Sequence, residues 1–207
     1  MSDYRYTSHE KKTGNYLQAK TNLAKRINNE SRYTDMHAAV SDSRFKNIFH
    51  AIYDNKCVYC GVTKRIAGRR AFEADHFFPF CAKDLYSGDI NELSNLVASC
   101  SDCNGSKTGK YFKDDTMALL HPDKKLDEVF KREENYQIVI SDEYRLNDDV
   151  KFFYDLLHLR SYHKRLDFLL MDLIGFVESE PKKIDDATMI KLHRIIEELL
   201  SIRNSLY

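Results

Sequence analysis

Four of the five cysteines stand in two C-x2-C pairs, Cys57-Val58-Tyr59-Cys60 and Cys100-Ser101-Asp102-Cys103, with 39 residues between them. Two such pairs offer four thiolates at the spacing of a closed tetrahedral site, which suits a structural zinc ion. A site of this kind contributes roughly 10–16 kcal/mol of apparent binding energy to folding and pins together segments far apart in sequence. Gly61, directly after Cys60, suits the tight turn of a metal knuckle. Cys81 is left over and reads as a buried or bystander thiol.

The rest of the composition narrows the class. Hydrophobic residues make up 43% and charged residues 31% of 207, an ordinary folded mixture rather than a disordered one. No uncharged apolar run approaches membrane-spanning length, since Leu166 to Val177 is broken by Asp167 and Asp172. The N-terminal stretch lacks the apolar core of a signal peptide, so a cytoplasmic location is expected. An odd number of cysteines there favours metal over disulfides. The net charge is zero, but residues 1–70 hold 14 Lys/Arg against 6 Asp/Glu, so a polyanion could be steered to one face.

Periodicity divides the chain into four parts. Residues 1–56 form an N-terminal helical segment, in which 1–14 read as a loose polar leader and Tyr16 to Glu30 as a weakly amphipathic helix. Asp42-Ser43 caps a stronger helix whose apolar positions are Phe45, Ile48, Phe49, Ile52 and Tyr53, ended by Asp54-Asn55. Residues 57–118 form the core that carries the cysteines, with short strands over Ala71 to Asp75 and Leu96 to Cys100. Residues 119–147 connect, with a strand at Tyr136 to Ser141 and Glu143 to Leu146 as its expected partner. In 148–207, Phe152, Leu156, Leu159, His163, Leu166, Leu170, Leu173 and Val177 step by four and three, one continuous seam. Pro181 breaks it, and Asp185-Asp186 caps a second helix bearing Met189, Leu192, Ile196, Leu199 and Leu206, which completes a helical hairpin.

Between the cysteine pairs lie Asp75-His76-Phe77-Phe78-Pro79 and Asn95-Leu96, and Cys103 is followed by Asn104-Gly105-Ser106-Lys107. The ordered set C-x2-C-G, D-H-x-x-P, N-L, C-x2-C-N-x-x-K over residues 57–110 resembles the HNH endonuclease family with its ββα-metal site. The resemblance implies an α+β, mostly helical chain, with a zinc-stapled ββα core, N-terminal helices and a C-terminal helical hairpin. It makes Cys57, Cys60, Cys100 and Cys103 the structural zinc ligands, and Asp75 and Asn104 the ligands of a catalytic divalent ion. It makes His76 the general base and Asn95 the residue that holds the loop and orients the histidine. The Gly-Gly often found in the family's loop is absent; this chain has Ser87-Gly88-Asp89.

The implied chemistry is physically coherent. A neutral imidazole accepts a proton from water at pH 7. Oxygen ligands suit Mg²⁺ or Mn²⁺, whereas four thiolates suit Zn²⁺. The expected activity is metal-dependent cleavage of DNA, with RNA as an open alternative. Lys64, Arg65, Arg69, Arg70, Lys107 and Lys110 are the expected phosphate contacts. Gly105 to Lys110 departs from a P-loop in spacing and has Tyr111 in the Ser/Thr position, so the chain itself does not bind ATP. Leu119 to Pro122, the strand-like Tyr136 to Ser141, and Leu156 to Arg160 with Arg165 on a helix are together similar to HNH proteins of Septu-type and retron-associated antiphage systems. That similarity implies an ATPase partner docking on the C-terminal helices, with a homodimer as the other use of that surface. The rival readings are a zinc-dependent nucleic-acid-binding module that does not cleave, and a subunit whose main role is partner docking.

Overall fold

A computed structural model describes residues 3–30, 32–67, 72–179, 181 and 184–206. Arg69 and Arg70 lie outside the described residues. Helix α1 (Tyr16–Asn28) begins at Asn15, whose side chain caps the Gln18 N–H, and buries Leu23 and Ile27. Helix α2 (Met36–Ser41) is capped by Asp35 and α3 (Ser43–Ile52) by Asp42. The expected apolar face of α3 is the one that packs inward, with Phe45 and Phe49 fully buried. Asp54 and Asn55 then turn the chain in left-handed conformations, which aspartate and asparagine tolerate better than most residues.

Strands β1 (Phe72–His76) and β2 (Leu96–Cys100) pair antiparallel, with Phe72 opposite Cys100 and His76 opposite Leu96. Helix α5 (Ser101–Lys107) leaves β2 immediately and packs back on both strands. This is a ββα unit carrying the second cysteine pair, with the first in the turn that follows α3, within a largely helical chain. The short helix α4 (Lys64–Ala67) precedes β1, and helices α6 (Asp114–Leu120) and α7 (Leu126–Val129) follow α5. No helix among the described residues is long and apolar enough to cross a membrane.

Three sequence expectations are corrected. The strand at β4 (Ile138–Ile140) pairs with β3 (Phe130–Arg132) upstream, not with Glu143 to Leu146, where Asp142–Tyr144 forms a 3-10 turn. The continuous seam is two helices, α8 (Asp148–Leu156) and α9 (Tyr162–Ser179). His158 takes a left-handed φ of 49° between them, and Lys164 Nζ donates to the freed carbonyls of Leu157 and His158. Buried backbone oxygens need such a partner, so the spacing runs on while the helix stops. Phe152, a seam position, is 48% exposed. Helix α10 (Asp186–Ser205) does pair with α9, tied by the buried ion pair between Arg203 Nε and Asp167 Oδ1 at 2.9 Å.

The N-terminal segment is the third correction, because part of it is a strap rather than a loose leader. Tyr4 Oη donates to the Tyr59 carbonyl, and Arg5 donates to the carbonyls of Val58 at 3.1 Å and Pro122 at 3.4 Å. Arg5 is buried, with its charge met by Asp3 at 2.7 Å. Arg132 holds the strap from β3 by donating to the Tyr4 carbonyl at 2.9 Å. Gly61 makes this approach feasible: its φ is +80°, and a Cβ there would lie 2.8 Å from Arg5 Cα and O. Gly61→Ala is therefore expected to destabilise the fold by at least about 2 kcal/mol, from left-handed strain plus the clash. Denaturant unfolding checks this; an unchanged midpoint would refute the strap.

Candidate active site and metal centre

Cys57, Cys60, Cys100 and Cys103 are all buried, and their sulfurs lie within 4.8 Å of one another. A tetrahedron of thiolates around zinc, with bonds of about 2.3 Å, has edges of about 3.8 Å. Cys60 Sγ and Cys100 Sγ are 3.9 Å apart, so the cage has the dimensions of a zinc site. The backbone also links the two halves: β2 carries Cys100 beside α5, and Val58 N–H donates to the Ala98 carbonyl at 3.0 Å. Arg132 donates to the Cys60 carbonyl at 3.3 Å. Burial opposes the charge on Lys164, but the four cysteines outweigh it and hold its pKa above the ordinary lysine value. Cys81 is neither buried nor part of this cage; it is exposed at the rim of the neighbouring cleft.

That cleft, about 530 Å³, is lined by Glu73, Asp75 and His76 from β1, Asn104 and Lys107 from α5, and His37 and Lys46 from the N-terminal helices. Glu73 and Asp75 are two residues apart on one strand and so share a face. Asp75 is buried: Tyr59 Oη donates to Oδ2 at 2.6 Å, and Lys107 Nζ lies 3.2 Å from Oδ1. Burial pushes the Asp75 carboxyl up to about 6, against the pull of Lys107 and of the Tyr59 hydrogen bond. The Asn104 side-chain nitrogen donates to Glu73 Oε2 at 2.6 Å. Asn104 Oδ1, the other end of the amide, accepts no hydrogen bond among the described residues.

The His76 ring is clamped. Its Nε2 lies 2.8 Å from Asn91 Oδ1, a hydrogen bond that requires the proton on Nε2 and leaves Nδ1 as the acceptor. His37 stacks on the ring at 4.6 Å, and Phe80 flanks it at 5.6 Å. Partial burial lowers the His76 pKa below the ordinary histidine value; the Asn91 hydrogen bond works against this and His37 adds to it.

Asn95 works on the loop. Its Oδ1 accepts from Phe78 N–H at 2.8 Å, and Nδ2 donates to the carbonyls of Phe78 and Ile90 at 3.1 and 2.9 Å. The direct hydrogen bond to the histidine ring comes from Asn91 instead. Glu73, His37 and Lys46, which line the cleft, and Asn91, which holds the His76 ring, are the residues that sequence reasoning missed. Glu73 alone left a signal, its alternation with Asp75; the others come from loop and helix packing.

The expected phosphate contacts scatter. Lys107 is buried and bonded to Asp75 and to the carbonyls of His76 and Phe77, so it is an internal cation rather than an exposed contact. Arg65 is exposed but pairs with Glu178 on α9, away from the cleft. Lys64 and Lys110 make no ion pair among the described residues. Lys110 follows Gly109 at the cleft edge.

Residues 57–110 match the family model for HNH endonuclease. They form an HNH domain. No curated protein and no solved structure gives a match to the chain. The HNH domain spans the first knuckle, β1, β2 and α5, so it contains both the cysteine cage and the cleft floor. An HNH domain suggests nuclease activity on a nucleic acid, and its four buried cysteines are positioned for a metal ion, which suggests zinc.

Proposed function

We propose that the chain is a metal-dependent endonuclease that hydrolyses phosphodiester bonds in DNA. The observation that carries this reading is the convergence of Asp75, His76, Asn104 and Glu73 on one cleft beside the cysteine cage. Asp75 and the free Oδ1 of Asn104 would hold a catalytic Mg²⁺ or Mn²⁺; both are hard oxygen donors, as those ions require. Such an ion, when bound, neutralises charge on the phosphate and assists the departing oxygen. The residues of the chain supply the rest. His76 Nδ1 accepts the proton of the attacking water, with Nε2–H held by Asn91 and the ring face held by His37. Glu73 fixes the Asn104 amide with its oxygen turned away from the carboxylate. Asn95 keeps the loop after β1 closed on the start of β2, which maintains the position of His76 through the backbone.

The test is cleavage of a supercoiled plasmid by the zinc-loaded chain, with and without added Mg²⁺ or Mn²⁺, beside a single-stranded RNA of similar length. Nicking or linearisation of the plasmid only when the ion is added is expected. Absence of cleavage by protein that binds the plasmid would support a second reading, a non-cleaving module. One observation favours that reading: the Lys107 ammonium already faces Asp75.

The proposal extends to antiphage defence with an ATPase partner through the family resemblance. The surface that supports docking is α10, where Ile195, Ile202 and Leu206 are exposed along one side.

A further inference from the structure

The HNH domain supplies only one side of the cleft. The other side comes from α2 and α3, outside the matched residues, through His37, Val40, Ser41 and Lys46. The His37 ring stacks against His76, so this second wall is registered directly against the proposed base. Lys46 stands on that wall without an ion pair among the described residues. Neighbouring arginines are different: Arg44 on α3 pairs with Glu30 at 2.7 Å, and Arg32, before α2, with Asp42 at 3.4 Å.

Lys64, at the start of α4, is equally unpaired and close enough that Lys46 lowers its pKa after burial has done so. His50, also on α3, is buried, and neither of its ring nitrogens has a hydrogen-bond partner among the described residues. Burial, then Lys64 and Lys46, push the His50 pKa down to about 4. Lys46 on the cleft wall and Lys64 near it form a local excess of positive charge. Lone lysines are ordinarily just solvated; the cleft position and the facing His37–His76 stack single Lys46 out.

We infer that α2 and α3 form the second wall of the nucleic-acid cleft, with Lys46 meeting a backbone phosphate of DNA next to the bond held at His76. This inference rests on the nuclease reading and adds to it a contact from outside the HNH domain. It also replaces Lys107 and Arg65, whose charges are met within the protein.

The test is binding of a fluorescent DNA duplex by the full zinc-loaded chain without added Mg²⁺ or Mn²⁺, over a series of salt concentrations. Each phosphate contact contributes about 0.9 to the slope of log affinity against log salt for duplex DNA. Lys46→Ala is expected to lower that slope by about 0.9 and Lys46→Glu to weaken binding further, whereas Lys46→Arg keeps the slope. Lys151→Ala, an exposed lysine on α8 outside the cleft, is the comparison variant. Thermal unfolding of each variant checks that the half-buried site still folds. An unchanged slope and affinity in both Lys46→Ala and Lys46→Glu would overturn the second wall while leaving the nuclease reading intact. Failure of the unsubstituted chain to bind DNA at all would overturn both.

Discussion

His76→Ala is expected to lower metal-dependent DNA cleavage by about 10²–10⁴-fold, the range that a positioned general base supplies. Binding of DNA should be nearly unchanged, because the ring is stacked on His37 and bonded to Asn91 rather than displayed as a charged contact. The sign of the pH dependence follows from the same surroundings. The base works only when neutral. Burial holds its pKa below the ordinary value of 6.5, and His37 reinforces that shift while Asn91 opposes it. Cleavage should therefore persist to lower pH than free imidazole would allow and fall as pH drops through that depressed pKa. Single-turnover rates from pH 5 to 8 measure this. Equal rates for His76→Ala and the unsubstituted chain, or a flat profile with chemistry limiting, would remove His76 from the role of base.

Loss of the metal from the cysteine cage is expected to unfold the HNH domain. A structural zinc site contributes roughly 10–16 kcal/mol at neutral pH, as much as or more than the roughly 5–15 kcal/mol by which a domain is stable. Cys103→Ser removes one ligand from the first turn of α5 and should abolish the cooperative thermal transition. A strong chelator should do the same to the unsubstituted chain, and added Zn²⁺ should restore the transition. The consequence spreads beyond the domain, because the strap at Tyr4 and Arg5 and Arg132 on β3 are anchored on the first knuckle. Circular dichroism follows both experiments. A chain that keeps its melting curve after chelation, with zinc absent by elemental analysis, would make the cage dispensable.

The knuckles, the strand-end Asp75-His76 pair, Asn95, Asn104 and the N-caps at Asp42 and Asp185 are legible in the sequence because each is a local device. Four thiols at short spacing, a carboxylate beside an imidazole and an aspartate before an apolar run carry their physics within a few residues. The family match falls on the same 57–110 stretch for that reason.

What the sequence left open is pairwise and long-range. Nothing local to Lys107 marks it as the buried partner of Asp75 rather than an exposed cation, since a lysine's role depends on where its long side chain ends. The same holds for Arg65, drawn to Glu178 across 113 residues of chain. Asn91 and His37 reach His76 through a loop and a separate helix, and no spacing rule links them. The polar N-terminus looked free because its charges are met by residues far along the chain, with Gly61 supplying the space. The seam from Phe152 to Val177 kept its period across a break because apolar spacing records which side faces the core, not whether the backbone stays helical. The sequence by itself determined the metal knuckles, the ββα core and the chemical types at its centre. The tertiary structure decided which cations are free, what clamps the histidine and what forms the far wall of the cleft, because those depend on contacts between segments that only folding brings together.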